Sequence, residues 1–241
     1  MDDEELARRS VASFGEPLAA LGRWGGGAAA EVRRPDAVGA RIGSLADNPW
    51  FDAVVVPYDS APPADGPDLP SCVWTLADRV EGRVEDTTIV TPCMGLVLAD
   101  AALPATGDVV VVSPSLAVVG AANDRAYDSP PALAPLAERL DDPRVRTHGV
   151  EVDGVPVCVA MTLALGDDLG VHYVATEAAH RRRGLATRLL LAVLAEARVD
   201  GFATATLQAS PDGRPVYRRM GFREVGLLHG FLRPGAVDRS D

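Results

Sequence analysis

The sequence is poor in cysteine and has no long run of apolar residues. Its three cysteines, Cys72, Cys93 and Cys158, stand far apart in 241 residues and show no CxxC or zinc-ligand spacing, which favours a reduced, cytoplasmic protein. No apolar stretch approaches the roughly 18 residues that a transmembrane helix needs. The first ten residues, MDDEELARRS, are acidic and charged, unlike a signal peptide. We therefore expect no contact with a membrane.

Lysine is absent altogether, and acidic residues outnumber basic ones. All 23 basic residues are arginine against 34 Asp and Glu, so the net charge is -11. This balance argues against a nucleic-acid-binding surface and mildly favours a cationic partner or substrate. The four histidines show no carboxylate pairs at metal-ligand spacing, so no metal site is predicted. The sequence also lacks the GxSxG and Cys–His signatures of hydrolases.

What the sequence does contain is an abrupt change of pattern between Val171 and Leu194. The first residues favour a strand, and from Leu185 onward apolar residues recur at helical spacing. The arginine-rich segment RRRGLA, residues 181–186, joins the two. A helix start offers unpaired backbone N–H groups and the positive end of a dipole, and small residues let a phosphate approach closely. The junction therefore predicts an anion site, although it matches neither the P-loop nor GxGxxG.

At this junction the chain resembles the GNAT superfamily of acyl-CoA-dependent N-acyltransferases. The family signature, [Q/R]-x-x-G-x-[G/A], follows a strand and opens a helix, as Arg181-x-x-Gly184-x-Ala186 does here. A second segment, PVYRRMGF at residues 215–222, resembles the family's Y-x-x-x-G-F. The resemblance implies an α/β (α+β) fold, with a mixed, mostly antiparallel sheet flanked by helices. It also implies acetyl-CoA as cosubstrate.

The resemblance further implies roles for individual residues. The backbone of the strand before the signature would pair with the pantetheine arm, and a backbone N–H there would polarise the acyl carbonyl. The diphosphate would bind the amides that open the helix, with the arginines neutralising its charge. Tyr217 matches the family's general acid, which protonates the departing thiolate. The implied cofactor-binding residues are Val174, Ala175, Thr176, Arg181, Arg182, Arg183, Gly184, Leu185, Ala186 and Thr187.

The general base is left open by the sequence. Several family members carry a glutamate on the strand before the signature, but the matched position here is Gly170. By two-residue alternation Gly170, His172 and Val174 share a face, which would point His172 toward the cleft unless a bulge upsets the parity. The alternatives are a histidine bonded inside the sheet, a water chain, or another base among Glu177, Glu151 and His229. Ser210 and Arg214 lie close to Tyr217 in sequence and are weaker cofactor candidates.

The chain divides into an N-terminal α/β region, residues 1–105, and a GNAT domain, residues 106–241. From residue 109 to 232 the patterns predict a strand over 109–112, a helix capped by Ser115, a helix that starts at Pro131, and three strands, the first two joined by a type I′ turn at Asp153-Gly154. A helix, a strand, a helix and a strand follow. The first region is either a degenerate copy of the same fold or an extension that covers the sheet edge. It opens with a helix over residues 3–22, whose apolar face is poor because Arg9 and Ser10 interrupt it. A second, short helix is predicted over residues 35–42.

Together these features predict a cytoplasmic N-acetyltransferase that moves an acetyl group from acetyl-CoA to a primary amine by direct attack. The amine could belong to a small molecule or a peptide, and the family often forms homodimers. The alternative is a non-catalytic module that binds an acyl-CoA and regulates a partner. It is motivated by the absent glutamate and by a first region without a recognisable motif.

Overall fold

The computed structural model describes most of the chain, with gaps at the loops and the C-terminus. The described residues are 1–24, 29–42, 49–64, 66, 68–83, 88–103, 109–126, 134, 138 and 140–233. The helix predicted after Pro131 and the boundary predicted between residues 105 and 106 fall largely outside them.

Four helices and ten strands make up the regular structure of the described residues. The helices are α1 (Asp3–Trp24), α2 (Leu116–Ala126), α3 (Leu185–Val199) and α4 (Arg214–Arg219). The strands of the first half are β1 (Ala30–Arg34), β2 (Ala37–Arg41), β3 (Ala53–Val55), β4 (Cys72–Thr75) and β5 (Thr88–Val97). Those of the second half are β6 (Val145–Val152), β7 (Val155–Leu165), β8 (Asp168–Thr176), β9 (Thr204–Gln208) and β10 (Arg223–Leu232). A single 3-10 turn, Ala178–His180, connects β8 to α3.

The ten strands form one sheet in the order β1-β2-β3-β4-β10-β5-β9-β8-β7-β6. All neighbouring strands run antiparallel except β3 beside β4 and β8 beside β9. The predicted mixed, mostly antiparallel sheet with flanking helices is confirmed. Strand β5, from the first half of the sequence, lies between β9 and β10 from the second half, so the sheet continues across the predicted boundary. The division into two domains stays a prediction.

The helices cover the two faces of the sheet. Apolar residues of α3, such as Leu189, Leu190 and Leu194, pack with Leu169 of β8 and Leu207 of β9 in one large core. Helix α1 lies against the opposite face: its Ala20 and Leu21 join a second core together with α2. Among the described helices, none combines the length and the apolar character needed to cross a membrane.

Two predictions about local structure are wrong. Residues 35–42 form a turn and strand β2 instead of a helix, because Pro35 and Asp36 make a two-residue connection that pairs Arg34 with Ala37. Neither residue has a positive φ, and the fixed negative φ of proline suits the first central position of such an unprimed turn. The strand expected over residues 109–112 is reduced to a single bridge between Val112 and Gly149.

The hairpin between β6 and β7 has the turn that its sequence predicts. Asp153 and Gly154 have φ values of 53° and 75°, and two consecutive left-handed residues define the type I′ turn that Asp-Gly favours. Ser115 caps α2 as predicted, because its Oγ accepts a hydrogen bond from the Val118 N–H at 3.3 Å.

Candidate active site

The signature turn is open and ends in a left-handed glycine. Gly184 has φ 73° and serves as N-cap of α3, and a Cβ placed on it would meet no atom of the described residues within 4 Å. The first intrahelical bond runs from the Arg188 N–H to the Gly184 carbonyl, and no side chain caps the helix. The N–H groups of the first turn, at Leu185, Ala186 and Thr187, therefore point to a surface that can take an anion.

The three arginines of the turn differ in their engagement. Arg181 donates its Nε to the Thr176 carbonyl at 3.0 Å and its Nη2 to the Ala126 carbonyl at 3.3 Å, so it ties the end of β8 to the end of α2. Arg183 donates to the Ala179 carbonyl at 3.2 Å. Arg182, with φ 62°, is exposed and makes no hydrogen bond or ion pair within the described residues. Arg182 and Arg183 are therefore better placed than Arg181 to meet an added anion.

A cleft of about 380 Å³ lies between the C-terminal end of α2 and the segment that leads from β8 into α3. Its wall includes two of the predicted cofactor-binding residues, Thr176 and Arg181. On the same wall Arg125 donates to Glu177 Oε1 at 2.6 Å, and Glu177 is thereby held in an ion pair. The cleft thus begins beside the signature turn, and a carboxylate and two guanidinium groups line it.

Strands β8 and β9 separate beyond a short paired stretch. Their parallel pairing ends at Gly170 and Thr206, and the residues beyond, 171–176 of β8 and 207–208 of β9, are called the fork here. On the fork β8 carries a bulge: Tyr173 and Val174 together face Ala160 of β7. Tyr173 has φ 51°. The backbone expected to meet the pantetheine arm, at Val174, Ala175 and Thr176, lies along this unpaired edge of β8.

The bulge overturns the predicted parity of β8. Val174 packs in the α3-side core that also holds Leu169 and Val171, whereas His172 faces α1. Val174 and His172 therefore do not share a face, because the extra residue in β8 reverses the alternation after His172. Ala175, in turn, packs in the core on the side of α1 and α2.

His172 is buried under α1. Its Nε2 lies 3.5 Å from Ser13 Oγ, and burial lowers the pKa of the imidazole to about 4. The ring is therefore neutral at physiological pH, with one nitrogen protonated and the other able to accept a proton. It does not line the 380 Å³ cleft. A role for His172 as base stays a prediction.

The space beside Gly170, where several family members carry a glutamate, is occupied by the side chains of Ser13 and His172. A Cβ on Gly170 would overlap Ser13 Oγ and would lie 2.7 Å from His172 Nε2. A side chain there would require the side chains of Ser13 and His172 to move. The sequence therefore has glycine at this point because a serine and an imidazole already occupy the space.

Tyr217 sits on α4, which follows β9 after five residues. The side chain is buried, with 8% of its surface exposed, and its ring packs on Phe222 with the ring centroids 5.9 Å apart. The structure does not bring Tyr217 into the cleft beside Arg181. Its neighbour Arg214 donates from Nε and Nη2 to the two carboxylate oxygens of Glu224, so it is not available to a cofactor in this arrangement. Ser210 accepts the Gly213 N–H.

Two of the alternative bases lie away from the fork. Glu151 is exposed on β6 at the edge of the sheet, and His229 lies on β10, where it pairs with Thr75 and Val90. Glu177 follows directly after β8 but is paired with Arg125. Within the described residues no group of three or more His, Cys, Asp or Glu could hold a metal ion.

The buried polar contacts among α1, β8 and β9 could not be predicted from sequence motifs. Asp168 is 2% exposed and accepts hydrogen bonds from Thr204 Oγ1 and Thr206 Oγ1, both at 2.6 Å; burial raises its pKa. Ser10 of α1 donates to the Leu207 carbonyl at 3.2 Å. The one sequence signal was the poor apolar face of the first helix, which turns its serines toward these strands.

The buried histidines predict a loss of stability in mild acid. Burial lowers the pKa of His148, which bonds Thr162 at 2.9 Å, to about 4. The unfolded chain binds a proton near the ordinary value of about 6.5, whereas the folded one does not, so stability falls as the pH drops below that value. From about pH 7 to about pH 5.5 we expect a loss of about 1 kcal/mol for each such histidine.

Urea unfolding at the two pH values checks this expectation. His148→Gln keeps a hydrogen-bonding group near Thr162 but cannot titrate, so its loss on acidification should be smaller than that of the wild type by about 1 kcal/mol. An equal loss in both proteins would contradict the assignment of a neutral, buried His148.

Comparison with known proteins agrees with this geometry. Residues 122–229 match the family model of the acetyltransferase (GNAT) domain. A GCN5-related N-acetyltransferase from Kribbella flavida is 18% identical with a TM-score of 0.60, and the match covers 94% of this chain and 96% of that one. A structure from Novosphingobium aromaticivorans, assigned to the GNAT family of acetyltransferases, is 20% identical with a TM-score of 0.57 over the same shares. No curated protein matches the sequence.

At these identities the two structures establish the fold, and the family assignment rests on the matched segment. That segment contains β8, the open turn at Gly184 and the helix that carries Tyr217, in the order that the signature predicted. Residues 122–229 therefore match the acetyltransferase domain of the GNAT family, and the chain has the fold of the two GNAT structures.

Proposed function

We propose that this protein transfers an acetyl group from acetyl-CoA to a primary amine by direct attack. The observation that carries the proposal is the open turn at Gly184, which stands at the end of an unpaired strand edge. The turn offers backbone donors at a helix start together with two exposed guanidinium groups. Within the part of the chain that the structure describes, a Cβ on Gly184 would meet no atom within 4 Å, so the backbone can be approached closely. These residues fit a diphosphate followed by an extended arm.

Each residue group has a part in this reaction. Arg182, Arg183 and the amides that open α3 hold the diphosphate, and the backbone of residues 174–176 pairs with the arm along the fork. The Val174 N–H donates to the acyl carbonyl and stabilises the negative charge that develops on its oxygen. The amine nitrogen bonds to the carbonyl carbon as the carbon–sulfur bond breaks. Tyr217 gives a proton to the sulfur, and His172, or a water, takes one from the amine.

The acceptor is proposed only as a class. A net charge of -11 favours a cationic molecule, and a small-molecule amine or a peptide amine would both supply the nucleophile. Dimer formation and a cytoplasmic location remain predictions.

Thermal unfolding with and without acetyl-CoA tests the binding step. Ligand at about 100 times its dissociation constant should add about 2.7 kcal/mol to the free energy of unfolding. No change in Tm at millimolar acetyl-CoA would count against the proposal. Thiol release with a panel of amines tests the transfer, since binding without release would favour a regulatory acyl-CoA-binding module instead.

A further inference from the structure

The N-terminal helix reaches both arms of the fork. Ser10 and Ser13 lie one turn apart on α1, and both side chains are fully buried. Ser10 bonds to the β9 arm in two ways. Its Oγ donates to the Leu207 carbonyl, and the Gln208 side chain donates to the Ser10 backbone carbonyl at 2.8 Å. Ser13 faces the β8 arm, where its Oγ lies 3.5 Å from His172 Nε2. A region without any acetyltransferase motif therefore contributes side chains to the point where the strands separate.

Two features of the structure favour the contact between Ser13 and His172. A buried hydroxyl is costly unless it is hydrogen-bonded, and the imidazole is the partner that the structure gives to Ser13. Room for the contact exists only because residue 170 is glycine, since a Cβ there would overlap Ser13 Oγ. Ser13 and two residues far from it in sequence, Gly170 and His172, thus form one arrangement at the end of the β8–β9 pairing.

We propose that Ser13 is a positioning residue for His172 in the acetyl transfer. A neutral imidazole has two tautomers, and the hydrogen bond made by one ring nitrogen decides which nitrogen carries the proton. In the tautomer that this role requires, the Nε2–H donates to Ser13 Oγ and the lone pair stays on Nδ1. The contact then holds the ring plane, so that the lone pair required for proton acceptance keeps one direction. This inference rests on the proposed function and extends it to the N-terminal region, which takes part in the reaction through α1.

Ser13→Ala and Ser10→Ala form a matched pair for the test. Both remove a fully buried hydroxyl from the same helix, but only the first touches the imidazole. For Ser13→Ala we expect kcat to fall about tenfold with the KM for acetyl-CoA unchanged, because a misaligned proton acceptor affects the transfer and not the binding of the thioester. Ser10→Ala should keep kcat within about twofold. Equal effects in the two variants, or no effect of Ser13→Ala, would overturn the inference.

A spectroscopic measurement adds evidence that is independent of turnover. In protein labelled with ¹⁵N-histidine, the His172 signals are identified by their loss in His172→Asn. Ser13→Ala should shift the Nδ1 and Nε2 resonances toward a mixture of tautomers, and Ser10→Ala should leave them in place. If Ser13→Ala folds poorly, Ser13→Cys retains a weak acceptor of similar size and should give an intermediate shift. Unchanged resonances in both Ser13 variants would refute the contact.

The two proposals can fail separately. A wild-type protein that acetyl-CoA does not stabilise, or that releases no thiol with any amine, counts against the proposed function. Normal wild-type turnover together with an unaffected Ser13→Ala counts only against the role of Ser13.

Discussion

Gly184→Asp should abolish the stabilisation of the protein by acetyl-CoA. The residue caps α3 at φ 73°, and its Cβ position is open, so the new carboxylate would stand where the diphosphate is expected. The carboxylate and the diphosphate would repel each other because both are negatively charged. The carboxylate would also take the place of the ligand at the positive end of the helix dipole. The gain of about 2.7 kcal/mol expected for the wild type at about 100 times its dissociation constant should vanish. Thermal shifts across an acetyl-CoA titration measure this directly.

A second glycine provides the control for backbone strain. Gly154, in the hairpin between β6 and β7, has φ 75°, and a Cβ on it would also meet none of the described atoms within 4 Å. Gly154→Asp therefore introduces the same side chain into the same backbone conformation, away from α3. It should lower the Tm of the free protein about as much as Gly184→Asp and leave the acetyl-CoA shift intact. A normal shift in Gly184→Asp would mean that the diphosphate binds elsewhere.

Local patterns account for the parts of the fold that sequence reasoning predicted well. Helix α3 was recognised because apolar residues at helical spacing from Leu185 to Ala197 all face one core. The Asp153-Gly154 turn and the Ser115 cap depend on neighbours within a few residues. Residues 35–42 were misassigned because a proline suits both the first turn of a helix and a tight turn. Pairing of Arg34 with Ala37 decided between them.

The position of β5 lay beyond any local pattern. It is inserted between β9 and β10, more than 100 residues later in the chain. The sequence of β5 indicates a strand, but nothing in its apolar residues specifies its neighbours. Such pairings depend on the packing of the whole sheet.

In the candidate site, too, local features could be predicted from the sequence and long-range contacts could not. The turn at Arg181 to Ala186 was predicted correctly as a strand–turn–helix junction because all of its parts are adjacent in sequence. The orientation of Val174 was not, since one extra residue at the bulge reverses every later side chain. The partner of His172 could not be predicted either. Ser13 lies 159 residues away, and its only trace in the sequence is a polar gap in the apolar face of α1.

Tyr217→Phe should lower kcat about 100-fold while leaving the KM for acetyl-CoA nearly unchanged. The ring of Tyr217 packs on Phe222, and phenylalanine can keep that contact while the phenolic hydroxyl is removed. Without it the thiolate must leave unprotonated or wait for a proton from water. An initial-rate study with varied acetyl-CoA separates the two constants, and Tyr58→Phe, whose ring packs under Arg8 instead, should behave as the wild type.

The result also bears on how the buried tyrosine reaches the thioester. Only 8% of Tyr217 is exposed, and α4 follows the β9 arm of the fork after five residues. If the phenol protonates the sulfur, the arm must enter the fork deeply enough to meet it, and the loss in kcat should appear with every amine. A loss confined to bulky amines would instead mean that Tyr217 shapes the acceptor pocket. A change of less than about twofold with all amines would leave water as the proton source.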